Sequence, residues 1–171
     1  MRIITQTPGF TIREFSLKEE PAFVDLFTDS RITPYIPKRS VDEVKQLFKA
    51  IVNEYADGTG LNRWAILGRD DNQLIGFAML HHDTEPAKAE LGYALHYEYW
   101  NKGLATVVSK VLVDYGFQEK HLKEIFAVTD HENVPSQRVL EKAGLKRNGI
   151  LSRKEIGLAF FNITSGEYNA G

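Results

Sequence analysis

Residues 102–106 bring together small side chains, a hydroxyl and a positive charge immediately before a helical pattern. The first N–H groups of a helix have no partner within the helix, and the aligned peptide dipoles make that end partly positive. Small residues would let an anion come within hydrogen-bonding distance of this backbone, which suits a phosphate or pyrophosphate. A tight turn that needs one glycine is the alternative. The residues concerned are Lys102, Gly103, Leu104, Ala105 and Thr106.

This segment does not match the common nucleotide-binding motifs. A P-loop requires Gly-Lys followed by Ser or Thr, which never occurs in the chain. The three-glycine spacing of a dinucleotide-binding turn is also missing. The helix that follows is predicted from an apolar stripe at helical spacing. Its members are Leu104, Val107, Val108, Val111, Leu112 and Tyr115.

A second candidate lies at the start of a helix predicted over about residues 134–143. Asn133 is a natural N-cap, Pro135 suits the first turn, and Gly144 is a stop signal. Ser136 stands three and four residues before two apolar positions, so its hydroxyl shares the inward face. The hydroxyl could serve a reacting group there, or it could bond the backbone of its own helix.

The strand predicted at residues 89–96 carries three titratable side chains. Glu90 is a candidate general base, although it could simply pair with a nearby Lys or Arg. His96 is a rival base, and Tyr93 could be part of the core. Consecutive strand residues alternate in direction, which places Leu91, Tyr93 and Leu95 on one face and Glu90, Gly92, Ala94 and His96 on the other.

The adjacent histidines His81 and His82 invite a metal-binding interpretation. Neighbouring residues of a strand point to opposite faces, so these two rings cannot readily share one ion. The chain has no cysteine, which excludes disulfides, thiolate zinc sites and a thiol nucleophile. We therefore expect no metal.

Two helices near the N-terminus are predicted by capping boxes. Ser16 with Glu19 and Ser40 with Glu43 have the spacing in which each side chain satisfies a free backbone N–H. Gly58 is a plausible end for the second helix. Residues 28–39 between them form an irregular, proline-interrupted loop.

The element order is βαα-βββ-α-β-α-β, which predicts one α/β (α+β) domain over residues 1–171. Its central sheet is expected to be mixed, mainly antiparallel and flanked by helices. The pattern of the tail after residue 150 is poor, and it leaves open whether the last strand is complete. The predicted strands before the tail are residues 10–15, 63–68, 73–82, 89–96 and 123–130.

Composition narrows the function classes. The 171 residues suit one domain, and a formal net charge of -2 gives no positive field for nucleic acid. No apolar run approaches the ~20 residues that span a bilayer, and the N-terminal residues lack the apolar run of a signal peptide. We expect a cytoplasmic protein that binds neither nucleic acid nor membrane.

Three motifs together resemble the Gcn5-related N-acetyltransferases (GNAT). They are "ELGY" at residues 90–93, "YWNKGLAT" at 99–106 and "NVPSQRVLEKAGL" at 133–145. The closer resemblance is to the branch of ribosomal-protein N-terminal (alanine or serine) acetyltransferases, and it covers residues 10–150. Three departures from the family pattern are the lack of a tyrosine on the helix after Asn133, the poorly matching tail, and Trp100, where the broader family often has Gln or Arg although the closer branch shares the Trp.

The resemblance implies a sheet splayed between two central strands, with acetyl-CoA as co-substrate in the gap. The segment 102–106 would bind the CoA pyrophosphate, Asn133 the pantetheine arm, and Ser136 would lie near the sulfur. The implied catalytic residues are Glu90 and Ser136. The implied cofactor-binding residues are Leu95, Lys102, Gly103, Leu104, Ala105, Thr106, Asn133 and Ser136. The proline-interrupted loop of residues 28–39 has no obvious packing role, and such loops often carry function. We therefore expect its Arg31 and Tyr35 to bind the substrate, together with Tyr93.

The sequence thus favours an N-acetyltransferase that moves an acetyl group from acetyl-CoA to a primary amine by direct attack on the thioester. A protein N-terminus is one candidate acceptor, and a polyamine, an amino acid or an aminoglycoside is another. The other interpretations are a catalytically silent acyl-CoA-binding module and an unrelated phosphate-binding α/β protein. We expect a monomer or a homodimer.

Overall fold

The computed structural model of the chain describes residues 1–85 and 87–170, which contain one mixed, mostly antiparallel sheet flanked by helices. Its strands are β1 (Ile3–Gln6), β2 (Phe10–Arg13), β3 (Asn62–Gly68), β4 (Leu74–His82), β5 (Lys88–Leu95), β6 (Glu124–Thr129), β7 (Lys146–Arg153) and β8 (Ile156–Thr164). The helices are α1 (Glu20–Thr28), α2 (Val41–Glu54), α3 (Leu104–Asp114), α4 (Val134–Lys142) and α5 (Ser165–Ala170). The strand order is β1-β2-β3-β4-β5-β6-β8-β7. The predicted fold class is confirmed.

The structure adds two strands and a short helix to the predicted order. Strand β1 pairs with β2 in an antiparallel ladder. The tail forms a hairpin of β7 and β8 followed by α5, so the sheet is complete at this end. The first predicted strand ends at Arg13 rather than at Phe15, because the Phe15 N–H donates to the hydroxyl of Tyr55 at 3.1 Å.

The local signals at the helix ends are confirmed. Ser16 and Glu19 form a capping box at a 3₁₀ turn that leads into α1, and Ser40 and Glu43 form another at α2. Gly58 adopts the left-handed conformation (φ 74°) after the 3₁₀ turn that ends α2, as expected of a stop residue.

Contacts divide the chain into two compact units. The first unit comprises Met1–Met79 and Tyr93–Lys102, and the second comprises Leu80–Gly92 and Gly103 onward. Strands β4 and β5 therefore contribute to both units.

The core of the first unit is rich in aromatic side chains. Phe23 of α1 contacts Phe15 and Phe48, with ring centroids 5.3 Å apart in each pair, and Phe27 stacks on Phe77 of β4 at 5.4 Å. Burial of each of these side chains stabilises the fold by roughly 1.5–3 kcal/mol. The two helices are thereby fixed on one face of the sheet.

In the second unit, α3 packs closely because of a glycine in the turn that follows it. A Cβ at Gly116 would lie 2.6 Å from the Cδ1 of Ile125 and 3.1 Å from a methyl of Leu80. The buried face of α3 differs from the predicted stripe. Val107 belongs to the stripe but is 45% exposed, whereas Ser109 and Val113 lie outside the stripe and are buried. Apolar residues cover so much of this helix that their pattern alone does not single out the buried side.

The parallel ladder between β5 and β6 is short. It pairs Lys88–Glu90 with Glu124–Phe126, after which β6 continues to pair with β8 up to Thr129. The rest of β5 extends beyond this ladder. The last paired residue of β5 in this ladder is Glu90.

Candidate active site

The start of α3 has the features of an anion-binding helix end. Gly103 is the N-cap with φ 75°, and no side chain caps the helix or places an acidic group in its first turn. The Thr106 N–H donates to the Gly103 carbonyl at 3.1 Å, so the amides of Leu104 and Ala105 precede the first helical bond. No atom of the described residues lies within 4 Å of where a Gly103 Cβ would stand. The residues present therefore fit a pyrophosphate at this helix end.

The start of α4 is closed by the predicted cap. The Asn133 side chain accepts a hydrogen bond from the Ser136 N–H at 3.2 Å. Ser136 is half-buried in the first turn. The cap fixes the backbone of this turn and therefore the position of the Ser136 side chain.

Glu90 is held by an arginine that the sequence did not indicate. Arg153, at the end of β7, donates from Nη1 and Nη2 to the two carboxylate oxygens of Glu90, at 2.9 Å each. This hydrogen bonding to Glu90 raises the pKa of Arg153. Each carboxylate oxygen has a second lone pair, so Glu90 can hold the guanidinium and still accept a proton, although that proton would weaken the ion pair.

In the first unit, the backbone at the end of β5 turns one edge towards β4 and the other edge away from it. The His96 N–H donates to the Ile75 carbonyl of β4 at 2.9 Å. Backbone groups of successive strand residues point to opposite edges, so the N–H and C=O of Leu95 point away from β4. The Leu95 carbonyl accepts a hydrogen bond from Nε1 of Trp100 at 2.8 Å.

His96 has the electrostatics of a neutral base at physiological pH. Burial lowers its pKa from the ordinary value of 6.5, and Arg31 acts in the same direction. Glu98, Asp29 and Asp25 oppose this shift. The ring therefore stays uncharged in the pH range in which it would have to accept a proton.

Arg31, a predicted substrate-binding residue, is engaged within the protein. It donates to Asp29 at 2.6 Å and pairs with Glu98 at 3.0 Å, and its guanidinium lies 4.7 Å from the ring centroid of Tyr97. Hydrogen bonding from Arg31 lowers the pKa of Asp29 to about 2. Arg31 thus ties the loop after α1 to the turn after β5.

Tyr35 of the same loop is more than half exposed, and its ring meets the ring of Trp100 edge-on at 5.5 Å. The predicted site residues are distributed over both units. The first holds Arg31, Tyr35, Tyr93, Leu95 and Lys102, and the second holds Glu90, Gly103, Leu104, Ala105, Thr106, Asn133 and Ser136.

The sequence indicated neither Arg153 as the partner of Glu90 nor a hydrogen-bonding role for Trp100. The Glu90–Arg153 contact joins positions 63 residues apart, which no local pattern reveals. The "YW" pair at residues 99 and 100 was the available signal for Trp100, but its hydrogen bond to Leu95 depends on the turn between them.

Other features of the structure do not add to this site. A cavity of about 120 Å³ in the first unit is lined by residues such as Arg2, Tyr55 and Trp64, none of which is a predicted site residue. Within residues 1–85 and 87–170 we find no group of three His, Asp or Glu side chains placed to hold a metal ion. The described helices also include none that is both long and apolar enough to cross a membrane.

Comparison with known proteins identifies relatives along most of the chain. The model of the acetyltransferase (GNAT) domain family matches residues 10–146. The uncharacterized N-acetyltransferase YnaD of Bacillus subtilis is 32% identical over 147 residues, which cover 86% of this chain and 85% of the relative. A GNAT-family acetyltransferase from Bacillus anthracis has the same fold, with a TM-score of 0.82, 24% identity and coverage of 96% and 99% of the two chains.

Two further solved structures share this fold in complex with coenzyme A. One is a ribosomal L7/L12 alpha-N-protein acetyltransferase, with a TM-score of 0.81, 14% identity and coverage of 95% and 98%. The other is the aminoglycoside acetyltransferase AAC(6')-Ib, with a TM-score of 0.79, 17% identity and coverage of 94% and 98%. Because the family match spans most of the sequence and includes all three motifs up to residue 145, the chain belongs to the GNAT family of acetyltransferases.

Proposed function

We propose that the protein transfers the acetyl group of acetyl-CoA to a primary amine, with a protein N-terminus as the first candidate acceptor. The start of α3 carries this proposal, because its left-handed glycine cap, early amides and open space suit the CoA pyrophosphate. Leu104 and Ala105 would supply backbone N–H groups there, with Lys102 and Thr106 beside them.

Acetyl-CoA supplies the acetyl group as a thioester. The acceptor nitrogen forms a bond to the thioester carbon, the carbon–sulfur bond breaks, and CoA leaves as a thiol. The nitrogen must lose one proton to a base, and the sulfur must gain one or accept a hydrogen bond.

The chain offers groups for each of these tasks. The Leu95 N–H, which points away from β4, would donate to the thioester oxygen as negative charge grows there. The Ser136 hydroxyl would donate to the sulfur. Glu90 is our candidate base, and its bond to Arg153 makes His96, with its lowered pKa, the second candidate.

On the acceptor side, we propose that residues 28–39 contact the amine, together with Tyr93. Tyr35 has the exposed ring for direct contact. Arg31 would act by holding the loop, since its guanidinium already binds Asp29 and Glu98. A cytoplasmic location and a monomeric or homodimeric working form stay predictions.

A catalytically silent acyl-CoA-binding module is the second candidate, favoured by the pairing of Glu90 with Arg153. An acceptor screen monitored by thiol release separates the two. The panel should contain peptides with free N-termini, polyamines such as spermidine, and aminoglycosides. The names of the two CoA-bound proteins described above and of the spermidine N(1)-acetyltransferase of Escherichia coli indicate these three kinds of acceptor. Amine-dependent thiol release supports the enzyme, and CoA binding without it supports the silent module.

A further inference from the structure

We propose that Trp100 is a positioning residue that fixes the backbone at Leu95 for acetyl transfer. The inference rests on the proposed function, because it concerns the N–H that would face the thioester oxygen. It assigns the indole N–H a role that packing alone would not require.

The peptide between Leu95 and His96 is bonded at both ends. Its N–H donates to the Ile75 carbonyl at 2.9 Å, and its C=O accepts from Nε1 of Trp100 at 2.8 Å. The two bonds lie on opposite edges of β5, so together they oppose rotation of this peptide and of the Leu95 N–H that precedes it.

On the edge of β5 that faces β4, a glycine of β4 allows close contact between the two backbones. A Cβ at Gly76 would stand 2.2 Å from the Ala94 carbonyl oxygen and 3.0 Å from the Leu95 Cα. The bare backbone at Gly76 therefore allows β4 to press directly against the end of β5. The other edge of β5 points away from β4, and there the hydrogen bond from the Trp100 indole restrains the Leu95 carbonyl.

Trp100 is itself held in place. Its ring packs against the aromatic core of the first unit and lies 5.2 Å from the ring of Tyr97 and 5.5 Å from that of Tyr35. An indole N–H can only donate, and a partly buried one seeks an acceptor. The 3₁₀ turn Tyr97–Tyr99 brings the ring back towards β5, so the Leu95 carbonyl is the acceptor it finds.

This arrangement connects acceptor recognition to the transfer step. Tyr35 belongs to the loop that we expect to contact the amine, and its ring makes a T-shaped contact with the ring of Trp100. Small displacements of a catalytic donor reduce rates strongly. A loss of the indole bond should therefore lower kcat and leave binding at the start of α3 unchanged.

The test removes the indole N–H of Trp100 and keeps a bicyclic aromatic ring at this position. We would incorporate 3-benzothienylalanine at position 100, which keeps the shape of the bicyclic ring and puts sulfur in place of the N–H. The matched control is the same replacement at Trp64, the second tryptophan of the chain, which is buried in β3. With acetyl-CoA and the best acceptor of the screen, we expect kcat of the position-100 variant to fall about 3- to 10-fold, as for loss of one hydrogen bond. The Kd of free CoA should not change, and the Trp64 variant should keep the wild-type kcat per folded molecule.

A spectroscopic measurement accompanies the kinetics. In wild-type protein the Trp100 indole proton should exchange slowly with solvent, and the variant should shift the ¹⁵N-amide signal of His96, whose peptide carries the bonded carbonyl. An unchanged kcat or an unshifted His96 signal would overturn the proposal, and so would an equal loss of kcat in the Trp64 variant. If the wild-type protein transfers acetyl to no amine, the proposed function itself fails; if it does and the position-100 variant matches it, only the role of Trp100 fails.

Discussion

Arg153 donates one hydrogen bond to each carboxylate oxygen of Glu90, both at 2.9 Å, at the point where β5 stops pairing with β6. The pair is partly exposed, with 21% of the Glu90 side chain and 46% of the Arg153 side chain accessible. Exposed ion pairs contribute only about 0–1 kcal/mol to stability. The functional question is therefore whether the carboxylate is a base or only a partner of the arginine.

Replacing each partner separately answers this question. If Glu90 is the base, Glu90→Gln should lower kcat on the order of 10²–10⁴-fold and remove the acidic limb of the pH–rate profile. Arg153→Gln should retain activity, because it removes the partner of the carboxylate and leaves the base itself in place. Equal, small effects of the two variants would assign Glu90 to the ion pair and direct attention to His96.

Ser136→Ala tests the hydroxyl near the sulfur. The cap bond from the Ser136 N–H to Asn133 survives this substitution, so α4 keeps its cap. We expect kcat to fall about 5- to 10-fold, as for loss of one hydrogen bond, with acetyl-CoA binding intact. A thioester with a more acidic thiol leaves more easily, so the deficit should shrink with such a donor.

The control for this prediction is Ser109→Ala on α3. Ser109 is fully buried, and within the described residues its Oγ has no hydrogen-bond partner, so its loss should not reduce activity. A lower melting temperature of Ser136→Ala with full activity per folded molecule would show that Ser136 stabilises the fold and takes no part in acetyl transfer.

Arg31→Lys should raise the KM for the acceptor amine about 3- to 10-fold, with CoA affinity unchanged. A lysine cannot bridge Asp29 and Glu98 while lying over the ring of Tyr97, because it lacks the planar fork of the guanidinium. Steady-state kinetics with both substrates varied measures the effect, and Lys38→Met, an exposed cation of the same loop, is the control. Loss of CoA affinity with an unchanged acceptor KM would show that this loop binds CoA and not the acceptor amine.

His96 makes stability depend on pH. Because burial lowers its pKa below the ordinary value of 6.5, the unfolded chain binds a proton at a higher pH than the folded protein does. The contribution of this group to stability is thus fully present above about pH 6.5 and is lost as the pH falls through the folded-state pKa.

We expect His96→Gln to make the free energy of unfolding less dependent on pH in this range. Urea unfolding between pH 5 and pH 7.5 measures it, and His82→Gln, at an exposed histidine, should keep the wild-type slope. The same slope in His96→Gln as in the wild type would contradict the buried, neutral state of His96.

The sequence predicted those features that depend on neighbouring residues. Both capping boxes, the Asn133 cap and the stop at Gly58 were found because each consists of residues within one turn. The hairpin of β7 and β8 was harder to predict, because its two-residue turn is Lys154–Glu155. Both of these residues have positive φ, where Asn or Gly would be expected.

The remaining features depend on contacts across the fold. Arg153 reaches Glu90 only after the tail has formed its hairpin, and Arg31 reaches Glu98 only after the loop has docked on the turn following β5. Apolar and polar residues do not alternate in the short strand β1, and its first and last residues are exposed. Such features need the structure, since no spacing along the chain encodes them.

Calorimetric titration with free CoA measures directly whether acetyl-CoA binds at the start of α3. Gly103 and Gly58 have nearly the same backbone conformation, with φ of 75° and 74°, and a Cβ on either meets no atom of the described residues within 4 Å. Glutamate at either position therefore adds the same strain and charge, but only Gly103→Glu places that charge at the proposed pyrophosphate site. We predict that the wild type and Gly58→Glu bind CoA equally, whereas Gly103→Glu loses at least about tenfold in affinity, or about 1.4 kcal/mol. A folded Gly103→Glu protein that binds CoA as tightly as Gly58→Glu would rule out the start of α3 as the pyrophosphate site.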